Sequence, residues 1–233
     1  MQIQPTNPIN DSQVEATPSD GAAPTIVSTA TETATLLGKV MSLVGIAISV
    51  LAFGTWVGRE ITPGAALTFS LVGFGMLLAQ SFGGQRFRVG RFATAWLMGI
   101  ALLVGLGLGP VLAYYASADP TAITQAAGVT ALVVAIAAVY GFYVGKDLVG
   151  WLRPLTFVIF GLVVVSIILL LFSDGGNPLL SLAIAAVSTV LIVVDFNYLR
   201  RHGTEDDAVS LATGIFVSIV NIFLAMLNIF GRD

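Results

Sequence analysis

Few residues in this sequence can do chemistry. There is no cysteine and a single histidine, His202, so disulfides, thiolate metal sites, cysteine nucleophiles and multi-histidine metal centres are excluded. A hydrolase needs a nucleophile beside an activating base, and His202 lies in a polar break between apolar runs; no catalytic residue is assigned. The hydrophilic residues that stand out are those embedded in apolar sequence. Asp195 is the one acid clearly inside such a run, and Ser181, Ala185, Ser188 and Ile192 share its face at helical spacing. In the final run, Asp207, Ser210, Gly214, Ser218, Asn221, Ala225 and Asn228 fall within about 80° of one another at 100° per residue. The candidate path for a proton or cation is therefore Asp195, Ser188, Ser218, Asn221 and Asn228. Glu205, Asp206 and Asp207 stand just before it, where three carboxylates suit a helix N-terminus and also suit a cation-attracting mouth.

The elements that must position these residues follow from composition. Of the 233 residues, 56% are hydrophobic and 10% charged, against about a quarter charged in a soluble domain. Such an excess of apolar surface calls for lipid. Seven apolar runs are separated by short polar breaks: 36–57, 64–82, 92–115, 121–144, 154–172, 178–199 and 208–230. Each is long enough to cross a ~30 Å hydrocarbon layer as a helix, and unpaired backbone in lipid leaves helices as the form available. The fold class is an all-α membrane protein, a bundle of seven transmembrane helices. Residues 1–33 are rich in Pro, Ser, Thr, Ala and acid and carry no Lys or Arg, so a disordered tail is expected there, with the membrane domain at 34–233.

Eight of the ten basic residues, Lys39, Arg86, Arg88, Arg91, Lys146, Arg153, Arg200 and Arg201, fall on one side of this topology, against Arg59 and Arg232 on the other. The positive-inside rule then puts the N-terminus in the cytoplasm and the C-terminus outside. Asp195, five residues before Arg200, stands about 7 to 8 Å below the cytoplasmic edge. A carboxylate at that depth suits a proton-sensitive latch or a calcium ligand, or else a pair with Arg200, Arg201 or a backbone donor. Lys146-Asp147 reads as an interfacial pair and Gln80 as a hydrogen bond between helices. Gly54/Gly58, Gly105/Gly109 and Gly141/Gly145 have the four-residue spacing that lets helices approach closely. Trp56, Trp96, Trp151, Tyr114 and Tyr115 suit interfacial belts. No basic face for nucleic acid exists, and a retinal protein is set aside because the last span has no lysine.

Several segments resemble the Bax inhibitor (TMBIM) family. Tyr140-Gly-Phe-Tyr-Val-Gly-Lys-Asp-Leu148 is similar to the end of its fourth helix, and Gly109-Pro-Val-Leu-Ala-Tyr-Tyr115 to its third. Leu182-Ala-Ile-Ala-Ala-Val-Ser188, followed by Asp195-Phe-Asn197, resembles its sixth helix, and 221–233 its closing segment. The likeness covers about residues 34–233 and is nearest to the bacterial YccA-type branch. It implies a bundle with the last helix central, and a pH-sensitive calcium leak in which two acids on the sixth and seventh helices form a latch. Asp195 matches the first acid. The second position corresponds to Ser218, and 64–82 carries no Lys or Arg where some members have a base. The leading expectation is thus a single-acid cation leak in the inner (plasma) membrane. It needs no cofactor, and its partners are the bilayer and calcium or protons. The resemblance also implies an alternative, a stress-response modulator that binds a membrane-bound ATP-dependent protease, with the tail as a handle.

Overall fold

The computed structural model describes residues 26–172 and 177–231. Among the described residues there are seven long helices and no strand: α1 (Ile26–Gly58), α2 (Pro63–Phe82), α3 (Gly90–Ala118), α4 (Pro120–Tyr143), α5 (Leu152–Phe172), α6 (Pro178–Arg201) and α7 (Ala208–Phe230). All seven are long and apolar enough to cross a membrane. Short 3-10 turns at Gln85–Phe87, Val149–Trp151 and Glu205–Asp207 join them. Helix α1 starts eight residues ahead of the boundary read from composition. The expected disorder of residues 1–25, and Arg232, lie outside the described residues.

Local chemistry explains where the helices begin. Pro63, Pro120 and Pro178 occupy first-turn positions, where a missing N–H costs little. Asp119 Oδ1 accepts from the backbone N–H of Thr121 and Ala122 at 3.1 and 3.3 Å. Asn177 Oδ1 does the same for Leu179 and Leu180. Ahead of α7, Asp207 Oδ2 accepts from Thr204 N–H at 3.0 Å and from the Thr204 hydroxyl at 2.7 Å, a capping box in which one of the three acids serves the helix start.

Glycine decides which backbones touch. A Cβ on Gly54 would stand 2.7 Å from the Leu102 carbonyl oxygen, and one on Gly58 2.5 Å from that of Leu106. From the other side, Gly105 faces Leu51 and Gly109 faces Gly58, so α1 and α3 cross in backbone contact. Gly107 meets α2 at Ser70 and Ala66. The glycine-rich stretch before Pro110 is therefore a packing surface inside a continuous helix. Gly141 on α4 likewise faces the backbone of Val193 on α6, but Gly145 does not complete that pair. The fourth helix ends at Tyr143, so Gly145 lies in the connection with open space about it.

The core is organised around α7, which packs against α6, α4, α1 and α3. Half of its most apolar stretch is buried, against 6% for α5. The last helix is central, as the family resemblance implied. Phe216, Ile215, Ile222 and Leu227 are enclosed on its apolar sides, which leaves the face with Gly214 and Asn228 toward α6.

Candidate functional site at the seam of α6 and α7

The polar residues embedded in α6 and α7 meet along one seam. At one end, the Ser181 hydroxyl donates to Asn228 Oδ1 at 3.1 Å. At the other, Asp195 Oδ2 lies 3.0 Å from where a Cβ on Gly214 would stand. Seven residues separate Ser181, Ser188 and Asp195, and seven separate Asn228, Asn221 and Gly214. For antiparallel helices this register sets Ser188 opposite Asn221, two turns from each end. The five sequence-derived path residues thus fall on or beside one line.

The residue across from Asp195 is Gly214, whose missing side chain leaves room for the carboxylate; Ser218 sits four residues further along α7, also buried. Helical spacing could group these residues but could not choose between adjacent turns of a partner helix.

Asp195 is only 7% exposed, and among the described residues no hydrogen bond or ion pair reaches its carboxylate. The arginines offered by the sequence as partners turn elsewhere. Arg200 donates through Nη2 to the Val144 carbonyl at 3.2 Å and lies over the Phe142 ring. Arg201 donates to the carbonyls of Val144 and Gly145. A buried carboxyl group without a partner is costly in either packing or function. Ser188 Oγ on the same face, and Thr130 Oγ1 on α4, are enclosed with no hydrogen-bond partner. Next to Gly214, the Thr213 hydroxyl accepts from Gln80 Nε2 at 2.9 Å and itself donates to the Val209 carbonyl. Gln80 is thus the interhelical hydrogen bond expected, and it ties α2 to α7 beside the acid.

A second polar cluster holds the end of α6. Asn197 is fully buried: its Oδ1 accepts from Leu148 N–H at 2.9 Å, and its Nδ2 donates to the carbonyls of Lys146 and Gly141 at 3.1 and 3.4 Å. Asp147 Oδ2 lies 2.7 Å from His202 Nε2, and Asp147 Oδ1 accepts from Val149 N–H at 3.0 Å. That backbone bond, with the His202 contact second, holds the Asp147 carboxyl below its usual range. Among the described residues Lys146 and Asp147 form no ion pair, so the interfacial pair expected there is replaced by Asp147 with His202. Sequence spacing gave no role to Asn197; its partners are 49 to 56 residues away, and the only local signal was an amide inside an apolar run.

Of the three acids ahead of α7, Glu205 and Asp206 are exposed and Asp207 is half-buried. Asp207 caps the turn, and Glu205 pairs with Lys39 of α1 at 3.5 Å, both side chains well exposed. No group of three or more His, Cys, Asp or Glu among the described residues is placed to hold a metal ion.

With this geometry in place, the sequence matches the family described as inhibitor of apoptosis-promoting Bax1 across residues 33–233. The chain belongs to the Bax inhibitor family. It is also similar to two uncharacterized proteins of Helicobacter pylori, from strains 26695 and J99, at 28% and 27% identity over 161 residues. The match covers 68% of this chain and 66% of each relative, so the chain spans about two thirds of the length of those relatives. In this member of the Bax inhibitor family, the acid of α6 faces a glycine, and the polar contact from α2 goes to a threonine.

Proposed function

We propose that this Bax inhibitor family membrane protein is a proton-regulated cation leak, with calcium as the leading ion, whose path follows the seam of α6 and α7. The observation that carries the reading is Asp195: an acid enclosed within a span, facing a glycine, with no partner among the described residues. As a carboxylate it attracts a cation into the seam. Protonated, it is neutral: it donates one hydrogen bond, still accepts others, and no longer draws a cation by charge. One group therefore gives two states of the path, in place of two acids holding each other. The amide and hydroxyl oxygens of Asn228, Ser181, Asn221 and Ser188 supply neutral ligand atoms in line with it. The basic end, with Lys39, Arg86, Arg88, Arg91, Lys146, Arg153, Arg200 and Arg201, is taken as the cytoplasmic face of an inner membrane.

Calcium flux into proteoliposomes, scanned over pH, tests this. Wild-type protein should conduct with a pH-dependent rate, and Asp195→Asn should abolish the pH response by fixing the neutral state. Unchanged flux and unchanged pH response in that variant would remove Asp195 from the path. Wild-type flux equal to that of empty liposomes would leave the non-conducting reading, a modulator of a membrane-bound protease. Proteolysis of a membrane substrate with and without residues 1–33 would then decide that.

A further inference from the structure

The end of α6 is tied to the segment 144–149, between α4 and α5, by four consecutive or near-consecutive side chains. Asn197, Arg200, Arg201 and His202 all reach into that segment. Three of the four make bonds that do not titrate in the physiological range, because amides and guanidinium groups keep their state. The fourth is an imidazole, the side chain whose ordinary titration falls between pH 5 and 8.

We infer that His202 and Asp147 form a proton-tightened clasp, through which pH at the basic face of the membrane sets how firmly the 144–149 segment grips α6. The carboxylate is already aimed: Val149 N–H holds Asp147 Oδ1, leaving Oδ2 to His202 at 2.7 Å. A neutral imidazole makes an ordinary hydrogen bond there, whereas an imidazolium makes a charge-assisted one. The other charged and titratable groups around the pair are few. Arg201 acts on Asp147 from the same helix end, and Arg200 is turned to the Val144 carbonyl. Lys146 precedes the acid in the chain. The Tyr198 ring stands 5.8 Å from the imidazole, and its hydroxyl is hydrogen-bonded to Asp207 with Arg88 nearby.

The sign follows. The grip is firm on the acid side of the imidazole titration and weakens as pH rises through it. On the far acid side it persists until Asp147 itself takes a proton, which its hydrogen bonds push below the ordinary 3.8. His202 and Asp147 are both more than a third exposed, so the change is modest, roughly two- to fivefold in the released fraction. Asp195 lies seven residues back on the same helix, about 10 Å away. The clasp therefore bears on the seam without depending on what, if anything, passes through it.

The chain has no cysteine, and Gly145 is exposed with open space where a Cβ would stand. A nitroxide on Gly145→Cys in nanodiscs thus reports this segment alone. The mobile population should rise roughly two- to fivefold from about pH 5.5 to about pH 8. With His202→Gln or Asp147→Asn added, it should be high and flat. No rise in the labelled protein, or an equal rise in both variants, would overturn the clasp. Flux is not read, so failure of the leak and failure of the clasp are separable.

Discussion

Helices α5 and α7 are alike as sequence and opposite as structure. Both are apolar enough to span a bilayer, α5 slightly the more so, yet 6% of the apolar stretch of α5 is buried against half of that of α7. Helix α5 rests on α6, with ring contacts from Phe160 to Phe74 and Phe157 to Phe82 of α2, and otherwise shows its side to lipid. Helix α7 is surrounded by α1, α3, α4 and α6. In water the more hydrophobic helix would be expected inside. In a bilayer lipid tails are as apolar as a protein core, so hydrophobicity gives no inward force. What suits α7 to the centre is its polar and small residues, which lipid cannot satisfy: Asn228 meets Ser181 of α6, and Thr213 meets Gln80 of α2.

Phenylalanine gives the largest test of that contrast. Phe216 of α7 is 1% exposed and Phe157 of α5 is 62% exposed. Phe216→Ala leaves a cavity and should cost about 3 kcal/mol. Phe157→Ala gives up one ring contact, with Phe82, and otherwise exchanges a ring for lipid, so it should cost no more than about 1 kcal/mol. Reversible unfolding in mixed micelles compares them, and equal losses would dissolve the distinction between the two helices.

Asn197→Ala comes next. It strands the Leu148 N–H and removes two donated bonds at once, so about 2 kcal/mol should be lost in the same assay. A loss near zero would mean that segment 144–149 contributes little to the bundle.

Glycine sharpens the comparison at smaller scale. Gly161 of α5 has open space about it, whereas Gly214 of α7 faces Asp195 Oδ2. Gly161→Ala should stabilise by about 0.5 kcal/mol through helix propensity. Gly214→Ala should forfeit that gain and displace the carboxylate, changing the pH response of flux more than stability. An identical response to both changes would show that the space before Asp195 is not used.

The smallest effect is a pH limb. Val149 N–H and then His202 hold the Asp147 carboxyl low. A depressed acid contributes stability above its unfolded value and loses it as pH falls through the folded one. Stability should therefore begin to fall only below about pH 3.8 on this account. Asp147→Asn should flatten that limb in an acid titration of unfolding midpoints.

The sequence by itself determined the number of crossings, nearly all their ends, and the few hydrophilic groups that had to turn inward. Those are local properties: run length against bilayer thickness, proline and capping residues at helix starts, and the cost of a polar group in lipid. The likeness to a known family, at Tyr140–Leu148 and Asp195–Asn197 above all, added which helix is central. Only the tertiary structure decided that Gly214 stands against the Asp195 carboxylate. It also decided that Arg200, Arg201 and His202 serve the 144–149 segment rather than the acid. Pairing across helices depends on register, and register is fixed by backbone contacts such as Gly141 against Val193. A periodicity of 3.6 names the face a residue occupies, but leaves open which turn of which neighbour it meets.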